Sequence, residues 1–195
     1  METILLASAS PRRRELLQNI KIPFVQEAFQ FNETHPQQVN AVNLAPFLAE
    51  KKLNFVLRTK ESEEYNWVLC ADTVVVSGDK ALGKPVDKSE AIHMLKMLSD
   101  NTHQVFSAVS LYNRRTDTIT TKTSATAVTF SELSSEEINW YISTEEWRGA
   151  AGAYKIQERA CVFVKNINGE YFTIVGLPIN VFYGMLKKNN YFQYG

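Results

Sequence analysis

The chain has 195 residues, of which 45% are hydrophobic and 22% charged, values that are ordinary for a globular protein. Its 21 basic residues balance 21 acidic ones, whereas a protein that depends on non-specific nucleic-acid binding is usually basic. No apolar run approaches the ~20 residues of a membrane span, and the charges near the N-terminus follow the first apolar run, the wrong order for a signal peptide. We therefore expect a single cytoplasmic domain over residues 1–195 that binds neither nucleic acid nor membrane.

The first elements are two short strands on either side of a helix. The apolar run Thr3–Ala7 predicts a buried strand, and Phe24–Phe29 predicts a second one. Between them, Ser10 suits the N-cap of a helix over Pro11–Asn19, because proline fits the first helical position.

A longer helix is predicted from Asn43, as its cap, to about Arg58. Pro46 would then fall within the first turn. Lys51 and Lys52 lie on or beside the apolar face of this helix, where a long side chain can carry its ammonium group to the edge of a cleft. A solvated helix flank is the alternative.

The remaining elements follow from apolar periodicity, capping residues and turn signals. They are a central strand Trp67–Ala71 continuing through Val74–Val76, a turn at Ser77–Lys80, a helix from Asp87 to about Ser99, an antiparallel pair Gln104–Tyr112 and Thr118–Phe130, a helix from Ser134 to about Ser143, a hairpin of Cys161–Ile167 and Tyr171–Val175 joined at Asn168-Gly169, and a last helix Ile179–Lys188. Strands and helices interleave, with hairpins among them, which indicates an α/β fold with a mixed sheet flanked by helices.

Two cysteines, Cys70 and Cys161, both stand in apolar runs. They show neither zinc-ligand spacing nor a disulfide framework. We expect both thiols to be buried.

The stretch from Ser8 to Arg14 joins the first strand to the first helix and carries the polar groups of a phosphate site. Backbone N–H groups at a helix N-terminus favour anions. Ser8 and Ser10 add hydroxyl donors, and the guanidinium forks of Arg12 and Arg13 match phosphate oxygens. A solvated basic helix start is the alternative, although cations at a helix N-terminus oppose its dipole.

Asp72, followed by Thr73, interrupts an otherwise hydrophobic strand. A buried carboxylate is costly unless a cation or a hydrogen-bond donor meets it. Asp72 could therefore bind Mg²⁺ or take a proton from water. An aspartate tied to a nearby backbone or hydroxyl group is the structural alternative.

The stretch Gly78–Pro85 nearly matches a P-loop, but Pro85 has neither the hydroxyl nor the N–H that this motif needs. What remains is Lys84 on a stiff loop, with an ordinary exposed lysine as the alternative. Glu33 is an acid in a loop after a strand; alone it indicates little, and a solvated loop acid is the alternative. Gln157 follows a run of small residues and offers both a donor and an acceptor, as the recognition of a base edge requires.

Five motifs occur in the order and spacing found in one known family. They are Ser8-x-Ser10-Pro11-Arg12-Arg13-x-Glu15-Leu16-Leu17, Ala71-Asp72-Thr73, Gly83-Lys84-Pro85, Ala151-Gly152-Ala153-Tyr154-x-Ile156-Gln157 and Val175-Gly176-Leu177-Pro178. The chain therefore resembles the Maf family of nucleoside-triphosphate pyrophosphatases from about residue 3 to 188.

The resemblance implies an elongated fold like that of inosine-triphosphate pyrophosphatases, with a cleft between two lobes, and commonly a homodimer. It implies hydrolysis of nucleoside triphosphates to monophosphate and pyrophosphate with Mg²⁺ or Mn²⁺. The family's general base falls on Asp72 and its loop acid, linked to metal or catalysis, on Glu33. Its phosphate contacts fall on six positions: Ser8, Ser10, Arg12, Arg13, Lys52 and Lys84. Its specificity positions fall on Arg12, Thr73 and Gln157.

The stretch Tyr154–Gln157 resembles the branch that prefers dTTP and UTP, with modified pyrimidine nucleotides as further candidates. The implied role is the removal of surplus or non-standard nucleotides. The same reaction on 7-methyl-GTP, CTP or another base, and a non-catalytic nucleotide-binding regulator of cell division, are the alternatives. Gly149, Ala150 and Glu158 depart from the family pattern, so base selectivity is the property that these positions are expected to change.

Overall fold

The computed structural model describes residues 1–31 and 39–193. The strands are β1 (Ile4–Ala7), β2 (Phe24–Glu27), β3 (Trp67–Ser77), β4 (Lys80–Leu82), β5 (Thr102–Asn113), β6 (Thr118–Phe130) and β7 (Val164–Asn168). The α-helices are α1 (Pro11–Asn19), α2 (Ala41–Val56), α3 (Lys88–Leu98), α4 (Ser135–Ser143), α5 (Tyr171–Val175) and α6 (Ile179–Lys188). Short 3-10 helices cover Lys60–Glu64, Ala151–Ala153, Arg159–Phe163 and Tyr191–Gln193.

The strands form one seven-stranded mixed sheet among the described residues. Its order is β2-β1-β3-β5-β6-β7, and β4 pairs with β3 beside this path. The strand β1 is parallel to both β2 and β3, and it is fully buried at Ile4, Leu5 and Leu6. Parallel strands are usually covered on both faces, which explains why β1 and the first half of β3 are continuous apolar runs. The predicted mixed α/β fold with flanking helices is confirmed.

The long strands β5 and β6 carry side-chain hydrogen bonds that define their register. The hydroxyl groups of Thr102 and Thr129 lie 2.8 Å apart, and those of Ser110 and Thr121 lie 2.9 Å apart. The partner number falls as the residue number rises, so the two strands run antiparallel, as the sequence predicts.

The chain divides into two compact units. The first contains residues 1–72, 107–124 and 176–195, and the second contains residues 73–106 and 125–175. Buried Leu5, Leu53, Val68 and Cys70 belong to the core of the first unit. Within the second unit, Phe130 packs against Phe163 and other aromatic rings. The single-domain assignment, the elongated shape and the cleft stay predictions.

The N-cap of α2 lies three residues before the predicted one. The Asn40 side chain, not that of Asn43, caps the helix, and it accepts a hydrogen bond from the Asn43 backbone N–H at 3.1 Å. Pro46 therefore lies in the second turn of α2, not in the first. Both asparagines are good N-caps, so local preference alone did not choose between them.

The predicted hairpin at Asn168-Gly169 is wrong, because Tyr171–Val175 is the helix α5 and not a strand. The strand β7 takes the edge of β6 instead, pairing Ala127 with Asn168. Gly169 then turns the chain at a φ of 134°, where an added Cβ would lie 2.6 Å from the Thr126 hydroxyl oxygen. That hydroxyl donates to the Glu170 carbonyl at 2.9 Å. Gly169 is therefore needed for the close approach to Thr126, and not for a turn between two strands as the sequence predicted.

The two cysteines differ in exposure. Cys70 is buried, as predicted, whereas Cys161 is exposed. Cys161 lies in the 3-10 helix Arg159–Phe163. Residues two apart share a face in a strand but not in a 3-10 helix, so Phe163 is buried while Cys161 is exposed. Among the described residues, no helix combines the length and apolar character needed to cross a bilayer.

Candidate functional site

The loop between β1 and α1 is held in a fixed conformation by its own side chains and by one glutamine. The Ser8 hydroxyl accepts from the Ser10 backbone N–H at 3.2 Å. The Gln26 amide donates to the carbonyl oxygens of Ser8 and Ser10, at 2.7 and 3.2 Å. Ser10 occupies the N-cap position of α1, but its hydroxyl makes no cap hydrogen bond to the helix. A serine that does not cap its own helix can offer its hydroxyl to a ligand.

Arg13 joins this loop to a distant part of the first unit. Its Nη1 donates to the Ser8 hydroxyl at 3.2 Å, and its Nε donates to the Gly176 carbonyl at 2.9 Å. Two fixed contacts restrain the guanidinium before any ligand arrives, which reduces the entropy lost on binding. Arg12, the neighbouring arginine of α1, is half-buried.

Lys52 and Asp72 form a close ion pair. The Lys52 Nζ lies 2.5 Å from the Asp72 Oδ1, and the two side chains are 17% and 10% exposed. The helix α2 supplies the lysine and β3 supplies the aspartate. A carboxylate taken so far from water needs a counter-charge, and Lys52 is that charge. The cation that the sequence required for Asp72 is therefore present in the same unit.

The pKa of Cys70, two residues before Asp72 on β3, shows which charged groups lie near this part of the strand. Burial raises the pKa of its thiol to about 12, while the nearby Lys52 and Arg13 cations act in the opposite direction. Both cations therefore act on one region of the first unit. Cys70 itself stays a protonated thiol at neutral pH, so it supplies no nucleophile.

An aromatic group borders the same lysines. The Lys52 Nζ lies 5.9 Å from the centre of the Phe31 ring, and the Lys51 Nζ lies 5.5 Å from it. Phe31 packs edge to face on Phe55 at 5.7 Å. Cation–π contacts of this kind attract an ammonium group toward a ring face, so Phe31 helps to hold both lysines on one side of α2.

In the second unit, the predicted site residues lie on β3 and on two loops. Thr73 is half-buried on β3, and Lys84 is exposed on the loop after β4. The Gly83 carbonyl accepts from the Gly152 backbone N–H at 3.0 Å. This hydrogen bond joins the loop that carries Lys84 to the stretch that leads to Gln157.

Gln157 is half-buried and has two charged neighbours. Its Nε2 lies 3.5 Å from the Glu158 carboxylate, at the limit of a hydrogen bond, and the Lys155 ammonium lies 3.7 Å from the same carboxylate. Glu158 is one of the positions that depart from the family pattern. Its carboxylate attracts the amino end of the Gln157 amide.

Glu33 lies outside the described residues, so its predicted role stays a prediction. Among the residues that the structure describes, no three His, Cys, Asp or Glu side chains gather as a metal site. Asp72 is nevertheless a suitable ligand, because Mg²⁺ is commonly held by one or two carboxylates together with substrate phosphates. A metal held in this way would take most of its remaining ligands from the phosphate oxygens of the substrate.

Sequence reasoning missed two participants in this arrangement. Gln26 was not predicted to have a role, although a glutamine inside a four-residue strand could have indicated a side chain that makes polar contacts. Gly176 was quoted only as part of a motif, and its carbonyl proves to be the acceptor for Arg13. No local pattern could predict that pairing, because 163 positions separate the two residues.

Serine hydroxyls after β1, a restrained arginine on α1 and a lysine–aspartate pair joining α2 to β3 define an α/β protein equipped for phosphate-bearing ligands. A family model described as Maf-like protein matches residues 3–189. A dTTP/UTP pyrophosphatase of Clostridium botulinum (strain Hall) is 42% identical over 189 residues, covering 96% of this chain and 97% of the relative. The chain belongs to the Maf family.

Two further relatives carry the same name. A dTTP/UTP pyrophosphatase of Clostridium acetobutylicum is 41% identical over 190 residues, covering 94% of this chain and 96% of the relative. A dTTP/UTP pyrophosphatase of Bacillus cytotoxicus is 40% identical over 179 residues, covering 92% of this chain and 91% of the relative. The similarity therefore extends over nearly the whole length of each protein.

Proposed function

We propose that this chain is a nucleoside-triphosphate pyrophosphatase that hydrolyses dTTP and UTP to the monophosphate and pyrophosphate. Relatives about 40% identical over nearly the whole chain carry that name. The structural observation that carries the proposal is the Lys52–Asp72 pair, which places a buried acid beside a cation in the unit that also holds Ser8 and Arg13. Removal of surplus or modified pyrimidine nucleotides is the role that we assign to the reaction.

In the proposed reaction, Asp72 accepts a proton from the water that attacks the α-phosphorus. A bond forms between the water oxygen and the α-phosphorus, the bond from that phosphorus to the α,β-bridging oxygen breaks, and pyrophosphate leaves with the electron pair. Arg12, Arg13 and Lys52 stabilise the negative charge that develops on the leaving group. Lys52 begins the cycle paired with Asp72, so an arriving polyphosphate competes with the carboxylate for its ammonium group.

We assign the remaining positions by the same family pattern. Ser8 and Ser10 bind phosphate oxygens, Lys84 adds a further cation for the polyphosphate, and Thr73 and Gln157 contribute to base recognition. Glu158 and the Gly149-Ala150 stretch then alter the surroundings of the base.

We also propose that Mg²⁺ or Mn²⁺ is required, with Asp72 and Glu33 as its protein ligands. When bound, the metal would neutralise phosphate charge. We further propose a cytoplasmic homodimer that binds neither nucleic acid nor membrane. Light scattering coupled to size-exclusion chromatography tests the assembly, and a monomeric mass at micromolar concentration would contradict it.

The first test is pyrophosphate release from dTTP, UTP, CTP, 7-methyl-GTP and ITP, each with Mg²⁺ and with Mn²⁺. Turnover confined to dTTP and UTP would support the proposal, and turnover of another base would reassign the substrate. Asp72→Asn should lower kcat by at least about a hundredfold, since loss of a general base removes roughly 10²–10⁴ in rate. Nucleotide binding should persist in that variant.

Asp79→Asn is the matched control, because Asp79 is an exposed acid in the turn between β3 and β4. It should keep full activity. An Asp72→Asn protein that turns over at the wild-type rate would reject Asp72 as the base. A wild-type protein that binds these nucleotides and releases no pyrophosphate would favour the regulator.

A further inference from the structure

A buried histidine of the second unit makes one polar contact among the residues that the structure describes. His103, on β5, is 1% exposed, and its Nε2 lies 2.9 Å from the hydroxyl of Tyr154. Its Nδ1 has no hydrogen-bond partner among the described residues. A buried polar atom without a partner destabilises the folded protein. An apolar residue at position 103 would remove that penalty but would leave the buried Tyr154 hydroxyl without this partner, so the role of the histidine is tied to Tyr154.

The contact is enclosed by aromatic side chains. Phe130 packs edge to face on His103 at 5.1 Å and on Tyr154 at 4.9 Å, and Tyr154 is 5% exposed. Burial lowers the pKa of His103 to about 4 and raises the pKa of Tyr154. Both groups are therefore neutral in the physiological range, and the hydrogen bond between them is shielded from water and does not titrate there.

Tyr154 stands at a strained point of the chain. Gly152 and Ala153, just before it, have φ values of 67° and 63°. A positive φ at alanine is sparsely populated and persists only where the surroundings enforce it. An added Cβ at Gly152 would lie 3.1 Å from a Val75 methyl group, which shows how closely the backbone packs there.

The segment after Tyr154 is fixed at several points around Gln157. The Lys155 backbone N–H donates to the Tyr141 hydroxyl at 3.3 Å. Glu146 accepts from the Arg159 backbone N–H at 3.0 Å and also contacts the Arg159 guanidinium. Gln157 lies between these anchors, half-buried, so its position follows from where the anchors hold the backbone.

We propose that His103 is a positioning residue for nucleobase recognition. Through its hydrogen bond to Tyr154 it holds the strained turn and sets the placement of Gln157, and thereby the preference among bases. The inference rests on the proposed function in that it assigns Gln157 to the base. His103 itself touches neither substrate nor the reacting atoms.

The test compares variants that remove this hydrogen bond from either side. His103→Phe and Tyr154→Phe should each reduce the ratio of kcat/KM for dTTP over CTP by about tenfold, within the roughly 10- to 200-fold discrimination that a change in one pocket contact can produce. The loss should appear mainly in KM. The double variant should lose no more than either single variant, since both delete the same contact.

Two further variants separate positioning from simple stability. His103→Gln keeps a hydrogen-bonding group near the Tyr154 hydroxyl and should retain the ratio within about threefold, a rescue that a volume effect would not give. Val105→Ala removes buried volume from the same strand and should lower the melting temperature without moving the ratio. All rates are measured well below the melting temperature of each protein.

Equilibrium binding keeps this inference separate from the proposed reaction. Calorimetric affinities for dTTP and CTP, measured in Asp72→Asn and in Asp72→Asn with His103→Phe, need no turnover. A preserved affinity ratio in the second protein would overturn the role of His103. An equal loss of the dTTP-to-CTP ratio in Val105→Ala would also overturn the role of His103. A wild-type protein that releases no pyrophosphate would reject the proposed function alone, because the affinity ratio would still test His103.

Discussion

Acidification should destabilise this protein through His103. The imidazole is buried, and its one polar partner in the described part of the chain is a tyrosine hydroxyl. Burial places its pKa at about 4, compared with 6.5 in an unfolded chain. Between these two values the unfolded protein binds a proton that the folded protein does not bind. The free energy of unfolding therefore rises with pH in this range. The stabilisation is complete above pH 6.5 and is lost as the pH falls toward 4.

The size of the effect follows from the two pKa values. Each tenfold change in a protonation equilibrium is worth about 1.4 kcal/mol. The lowering of the pKa from 6.5 to about 4 therefore reduces the free energy of unfolding by about 3 kcal/mol at a pH where both states are protonated. At pH 5, where the unfolded histidine is protonated and the folded one is mostly neutral, the loss relative to neutral pH is about 2 kcal/mol.

Urea unfolding at pH 7.5 and at pH 5 measures this loss. Many carboxylates also titrate toward acid, so the informative quantity is the wild-type change minus that of His103→Phe, which has no titratable group at this position. The wild type should lose about 2 kcal/mol more than the variant. An equal loss in both proteins would mean that the folded imidazole accepts a proton freely, and the reasoning from burial would be refuted.

Three further predictions concern the backbone and the ligand-binding loops. Gly152→Ala should lower the free energy of unfolding by about 1–3 kcal/mol, measured in urea, because alanine at this φ is strained and its methyl meets a valine; an unchanged midpoint would contradict this. Arg13→Lys should raise KM for dTTP about tenfold, because lysine cannot both hold the Gly176 carbonyl and present a planar fork to phosphate; wild-type KM would show that charge alone suffices. Glu158→Gly should change the dTTP-to-CTP ratio of kcat/KM several-fold, since the Gln157 amide loses the carboxylate beside it. An unchanged ratio would show that Glu158 plays no part in base selection.

Much of the fold could be predicted because its signals are local. The helix α1 has the predicted bounds, because a serine–proline pair marks its start within two residues. The capping box at the start of α4 is present as predicted, with Ser134 and Glu137 bonding to each other's backbone. The central strand β3 was recognisable as a continuous apolar run.

The errors arose where a local signal had two outcomes. Two asparagines could cap α2, and Asn40 does so. The Asn168-Gly169 pair is typical of a hairpin, but β7 pairs with β6 and Gly169 is used for a close approach to Thr126. These choices depend on which strands are neighbours, and strand order is a property of the whole chain.

The sequence by itself determined the chemistry that is available: a serine- and arginine-bearing helix start, an acid inside an apolar strand, and a glutamine after small residues. Only the tertiary structure decided which of these groups meet. It brought Lys52 to Asp72 across 20 positions and Arg13 to the Gly176 carbonyl across 163. It also paired His103 with Tyr154 in an aromatic core. Capping and periodicity act over a few residues, whereas a contact between distant residues exists only after the sheet has set their elements side by side.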